Sequence, residues 1–167
     1  MADFQPAFES MIRNEGGYVL HTVAGDRGGM TYAGIARNMN PHWDGWRLID
    51  AQQEVPAQLV RDFYKANYWD NIRGDEMLHQ STAQSIFDFH VNAGKPARVL
   101  AQLVVGVTPD GVFGPKTVDA INAYDPEKFV MAYALAKIAR YRDIVQRDRS
   151  QGKFLLGWIN RTLKGVA

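Results

Sequence analysis

Phe4, Phe8, Met11 and Ile12 recur at the spacing of an amphipathic helix, and Glu15 falls on the same face four residues beyond Met11. Gly16-Gly17 ends that helix, glycine being favoured just past a helix C-terminus. From Tyr18 to Met39 the chain is rich in glycine and small residues. Here Tyr18–Val23 against Met30–Ala33 predicts a short hairpin around Ala24-Gly25-Asp26-Arg27-Gly28-Gly29. Residues 56–69 read as one helix, with Pro56 in its first turn and Leu59, Val60, Phe63, Tyr64 and Tyr68 inward. Another runs from Ala83 to Ala93, with Ile86, Phe87 and His90 on its buried face. Helix resumes over Pro96–Val105, Gly106–Pro115 forms a compact loop, and helices follow over about 116–124, 126–148 and 152–164. The expected class is all-α with at most a small β-hairpin.

Composition adds bounds. A chain of 167 residues can bury one good core, and 46% hydrophobic with 22% charged residues is ordinary for a globular protein. With 19 basic against 18 acidic side chains, no dedicated nucleic-acid surface is expected. The balance hides an asymmetry: residues 1–136 hold 11 basic and 16 acidic side chains, residues 137–167 hold 8 and 2. Lys137, Arg140, Arg142, Arg147 and Arg149 lie mostly outside the apolar stripe of the 126–148 helix. That basic surface suits an anionic envelope polymer or membrane surface, and equally a solvated helix face. Cysteine is absent, which excludes disulfides and thiolate chemistry. His21, His42, His79 and His90 lack metal-ligand spacing, so neither metal nor cofactor is expected. The opening residues lack the pattern of a signal peptide. The expectation is synthesis in the cytoplasm, so that a target outside it would need a separate route of export.

Glu15 is the residue that points to chemistry. A carboxyl group on a face otherwise made of Phe, Met and Ile, in the last turn of its helix, is expected to favour its neutral form. Burial and the negative end of the helix dipole act in the same direction. A general acid that protonates a glycosidic oxygen needs that form. The plainer reading is a boundary glutamate that swings into water. Asp26 and Thr31 follow in a glycine-rich loop that allows close backbone approach to a ligand. If the chain folds back as a hairpin, Asp26 can return to face Glu15 and Thr31 can hold a water, the pairing an inverting glycosidase requires. Taken alone, Asp-x-Gly-Gly is also a common turn.

Together, Glu15-Gly16-Gly17-Tyr18 and Asp26-x-Gly28-Gly29-x-Thr31-x-x-Gly34-Ile35 resemble the signature of glycoside hydrolase family 108, whose members are N-acetylmuramidases of phages and bacteria. Tyr68-Trp69-Asp70 and Phe87-Asp88-Phe89-His90-Val91-Asn92-Ala93-Gly94 are similar to later blocks of that family. Leu103, Asp110-Gly111-Val112-Phe113-Gly114-Pro115-x-Thr117 and Ala120-Ile121 resemble the small helical peptidoglycan-binding module that usually completes such proteins. The resemblance implies a lysozyme-like helical fold with the hairpin beside the active site. It also implies a catalytic half over 1–94 and a peptidoglycan-binding half over 95–167, closely packed on it. Glu15 matches the catalytic glutamate, and the ordered Glu, Asp, Thr set is similar to that of phage lysozymes, in which Asp and Thr position the attacking water. The chain departs from the pattern at His21, where a small polar residue is expected, and at Arg27, where relatives commonly have Pro.

The implied activity is cleavage of the β-1,4 bond between N-acetylmuramic acid and N-acetylglucosamine by a monomeric enzyme of the endolysin type, which would act in the periplasm or cell wall after holin-type or dedicated export. A lytic transglycosylase and a non-catalytic wall-binding module are the competing readings. Tyr18 and Tyr32 can stack on sugar rings or simply pack. Asp88 and Asn92, one turn apart, can hydrogen-bond glycan N-acetyl groups, while Asn92 serves equally as a helix cap. Trp43, Trp46 and Trp69 read as core rather than subsite residues.

Overall fold

Apolar periodicity at the N-terminus produces what it predicts. The structure, a computed structural model, describes residues 1–22 and 29–166. The chain divides into two compact units, Asp3–Asn71 and Ile72–Ala167, the latter joined by Met1–Ala2.

In the unit Asp3–Asn71, helix α1 spans Phe4–Asn14, and the Asp3 carboxylate caps it by accepting from the Gln5 N–H at 2.9 Å. Phe4, Ala7, Phe8, Met11 and Ile12 are buried. Burial of each large apolar side chain contributes about 1.5–3 kcal/mol. Phe4 packs on Phe8 and on the fully buried Trp69, and Phe8 packs on Tyr64. Three antiparallel strands follow, β1 (Leu20–Thr22), β2 (Met30–Tyr32) and β3 (Ile35–Ala36), in the order β1-β2-β3. Leu20 pairs with Tyr32 and His21 with Thr31, so the expected hairpin is present, and β3 extends it. The turn between β2 and β3 is Ala33-Gly34, with φ of 49° and 80°. Positive φ at both central residues is the requirement of a type I′ hairpin turn.

Helix α2 (Gly45–Asp50), too short to show a period, buries Trp46, whose indole N–H donates to the Asn40 carbonyl at 2.8 Å. The single helix expected over 56–69 is two elements. Helix α3 spans Ala57–Tyr64 with Pro56 at its cap, and a π-helical turn occupies Lys65–Trp69. The widened turn rotates Trp69 into the core, and Val60 and Tyr64 are buried beside it, while Leu59, Phe63 and Tyr68 are half-buried.

The second unit is helical throughout: α4 (Gln80–Ala93), α5 (Lys95–Val105), α6 (Pro115–Ala123), α7 (Pro126–Arg147) and α8 (Gly152–Lys164). Helix α7 packs on α4, α5 and α8. Its buried Tyr133 hydroxyl donates to the Ala97 carbonyl at 2.9 Å. Buried Gln102 organises the loop before α6. Its amide donates to Asp110 Oδ1 at 2.8 Å and to the Val112 carbonyl at 3.0 Å, and its oxygen accepts from the Gly111 N–H at 2.7 Å. One buried amide thereby pairs with three polar groups of the loop. His90 is buried, as its helical position predicts, with Nδ1 3.0 Å from the Gly94 carbonyl.

Lys137 corrects the expected basic surface. Only 7% exposed, it turns inward with its ammonium 4.5 Å above the Tyr133 ring and 5.1 Å from that of Phe89, and donates to Ser85 Oγ at 3.3 Å. Its aliphatic stem carries the charge along apolar surface, a placement that periodicity alone assigns to solvent. Burial lowers its pKa from 10.5 to about 8, with the Asp88 carboxylate opposing that shift and Arg161 adding to it. The folded chain therefore binds fewer protons at Lys137 than the unfolded chain between these values, and this group's contribution to stability rises with pH across the window. Lys137→Met removes that gain. Its stability relative to the parent is expected to fall as pH rises from about 8 to about 10.5, measured by urea unfolding. A pH-independent difference would contradict the burial account.

Candidate active site

Glu15 is the C-terminal cap of α1, and its backbone N–H still donates to the Met11 carbonyl at 2.9 Å. Gly16 and Gly17, with φ of 86° and 84°, then turn the chain toward β1. The Glu15 side chain is half-buried and lies against the β2–β3 turn. A Cβ built on Gly34 would stand 3.3 Å from Glu15 Cγ, 3.4 Å from Glu15 Oε2 and 2.5 Å from the Tyr64 hydroxyl. Only glycine lets the turn approach both groups this closely. The Tyr64 hydroxyl donates to the Ala33 carbonyl at 2.9 Å, which pins the same turn to α3.

Two phenols share the electrostatic environment of Glu15. Burial pushes the pKa of Tyr64 well up, and the Glu15 charge raises it further. Tyr68, on the π-helical turn, is raised by the same two causes in the same order. Both remain protonated near neutral pH and keep a donor hydroxyl. π-helical turns recur at functional sites, where they re-aim side chains. This one brings Tyr68 under the influence of Glu15 while sending Trp69 into the core.

Thr31 is half-buried at the centre of β2, opposite His21 on one side and Ala36 on the other. Tyr32, adjacent in the strand, points to the opposite face. There it stacks on Trp43 with ring centroids 6.1 Å apart and 24° between planes. Burial raises the Tyr32 pKa first, and nearby Tyr18 raises it further. Tyr18 is 42% exposed. Trp46 and Trp69 are core residues, as expected, whereas Trp43 is half-buried. Asp26 lies outside the described residues, together with Val23 and Arg27.

Asp88 and Asn92 belong to the second unit and share a face of α4. Both Asp88 carboxylate oxygens accept from Arg161, Oδ1 from Nη2 at 3.0 Å and Oδ2 from Nε at 3.3 Å. Asn92 donates to the Asp88 carbonyl at 2.7 Å, one turn back in its own helix, while Gly94 caps the C-terminus. Arg161 thus ties α8 to α4, and the local sequence around Asp88 contains no sign of it.

The grouping of Gly34, Tyr64 and Tyr68 around Glu15 was not foreseen from sequence, where the two tyrosines read only as an inward face. A signal existed, because a buried tyrosine hydroxyl must find a polar partner and two such residues lie one turn apart.

Residues 8–94 match the family described as Glycosyl hydrolase 108, and residues 95–163 match the Predicted Peptidoglycan domain. The solved structure of SagA from Brucella abortus is similar, at 25% sequence identity and a TM-score of 0.72, over 98% of this chain and 95% of that one. No curated protein matches the chain significantly. The chain belongs to the glycosyl hydrolase 108 family: it is a glycoside hydrolase of lysozyme-like helical fold that acts on peptidoglycan.

Proposed function

We propose that the protein is an N-acetylmuramidase that hydrolyses the β-1,4 bond between N-acetylmuramic acid and N-acetylglucosamine. The observation that carries this reading is the seat of Glu15 at the end of α1, against Gly34 and close enough for its charge to raise the pKa values of Tyr64 and Tyr68. Glu15 donates its proton to the glycosidic oxygen as the bond to the muramic acid C1 breaks. A water attacks that carbon and gives up its proton to Asp26, with Thr31 helping to hold the water. The roles of Asp26 and Thr31 rest on their place in the motif. The stacked rings of Tyr32 and Trp43, and the exposed ring of Tyr18, are assigned to the apolar faces of the sugars. Asp88 and Asn92 are assigned supporting contacts to the glycan, with Asp88 acting through the arm of Arg161 that it orients.

The C-terminal segment is proposed to add electrostatic attraction to anionic envelope polymers through its outward basic side chains, without Lys137. Binding of the monomer to purified wall is then expected to weaken as salt is raised.

Mass analysis of fragments from purified peptidoglycan tests the chemistry. Hydrolysis leaves reducing muramic acid ends, with a gain of one water per cut. A 1,6-anhydro end would instead assign the reaction to a lytic transglycosylase, and absence of fragments would leave a wall-binding protein. Thr31→Ala and Asp26→Asn are expected to slow formation of the reducing ends, each by less than loss of Glu15.

A further inference from the structure

Phe63 stands edge-on to Trp43, with ring centroids 6.2 Å apart. Both line an open cleft of about 450 Å³, within the size range of ligand pockets, between the segment following β3 and α3. Leu59 adds to its apolar wall, Asn67 of the π-helical turn lines it too, and Asp44 and Asp62 stand among its lining residues. No lysine or arginine lines it among the described residues. Asp44 meets Arg47 only at 3.8 Å, with both side chains largely in solvent. Asp62 accepts from Gln58 at 2.6 Å, which leaves most of its acceptor capacity unused. An apolar wall with two available carboxylates is complementary to an alkyl chain that ends in an ammonium group.

We propose that this cleft binds the diamino-acid residue of the peptidoglycan stem peptide, with its aliphatic chain along Trp43, Phe63 and Leu59 and its free ammonium between Asp44 and Asp62. The proposal rests on the muramidase reading above, because the stem peptide hangs from the muramic acid whose bond is cut. The diamino acid is the third residue of the stem, so about 10 Å of extended chain separates it from the sugar. Phe63 stands between the two places, its ring centroid 5.4 Å from that of Tyr64, beside Glu15, and 6.2 Å from that of Trp43. The cleft also shares the π-helical turn with the site: Asn67 lines the one while Tyr68 serves the other.

The test compares kcat/KM of the full chain on three soluble glycans of equal length: one bearing stem peptides with free diamino-acid amines, one with those amines acetylated, and one stripped of peptide. The first is expected to be cut about fivefold better than the other two, the scale of a partly exposed ion pair. In the double variant Asp44→Asn, Asp62→Asn the ratio of the first to the second should fall toward one. Equal cutting of all three by the parent chain overturns the proposal, as does a ratio that survives the double substitution. Should that variant not fold, the single variants Asp44→Asn and Asp62→Asn, each at an exposed position, are read in the same way: at least one must lower the ratio, and a ratio unchanged in both overturns the proposal. Failure of the muramidase reading would look different, because no substrate would then yield reducing muramic acid ends.

Discussion

Glu15→Gln is expected to fold like the parent chain and to cut peptidoglycan at least about a hundredfold more slowly, the scale of general acid catalysis. The fold should tolerate the change because the amide has the carboxyl group's shape and the position is half-buried at a helix end rather than in the core. Gly34 needs only room beside Glu15, and Tyr64 already has a partner in the Ala33 carbonyl. Removing the charge should also make the phenols of Tyr64 and Tyr68 easier to ionise, since Glu15 helps to hold their pKa values up. Circular dichroism and thermal unfolding report the fold, and release of reducing ends reports turnover. Near-parental turnover in a folded variant would remove Glu15 from the chemistry.

Gly34→Ala should damage both stability and activity, although Gly34 contributes no functional group. Its φ of 80° is strained for any residue with a side chain, and the new methyl would sit 2.5 Å from the Tyr64 hydroxyl. The strain and the displaced hydrogen bond together are expected to cost about 1–3 kcal/mol of unfolding free energy. Relief of the collision pushes the turn away from Glu15, so turnover should fall by more than the loss of folded protein explains. A second substitution separates the causes. Tyr64→Phe removes the colliding oxygen, so Gly34→Ala should cost less in that background than in the parent, with the backbone strain remaining. Equal costs in both backgrounds would show that the close approach of turn and phenol does not matter.

Much of the fold was legible because it is periodic. The stripe from Phe4 to Ile12 placed α1 and put Glu15 at its end, and the helices from Ala83 onward followed from the same period with shifts of a few residues. Short elements escaped. A two-residue strand such as β3 and a six-residue helix such as α2 contain too few positions to repeat a pattern. The turn of Lys65–Trp69 preserves helical spacing in the text while adding a residue to its circumference, so 56–69 read as one helix.

Long-range pairing was invisible for a different reason. Asp88 and Asn92 do share a face, but what engages Asp88 is Arg161 on α8, far along the chain. Lys137 faces inward because the rings of Tyr133 and Phe89 receive its ammonium, and a polar letter gives no hint of that. At the candidate site, Glu15 stood out as a carboxyl group on an apolar face. Its surroundings did not, because Gly34 meets it only after the chain has folded into a hairpin.

The most direct test of Glu15 as proton donor varies the leaving group rather than the wall. Turnover of parent and Glu15→Gln would be compared on two muramic acid glycosides, one with a sugar leaving group and one with an acidic nitrophenol that departs without a proton. The account predicts a deficit of at least about a hundredfold on the first and a far smaller one on the second. An equal deficit on both would contradict it, because the lost carboxyl group would then be serving something other than the departing oxygen.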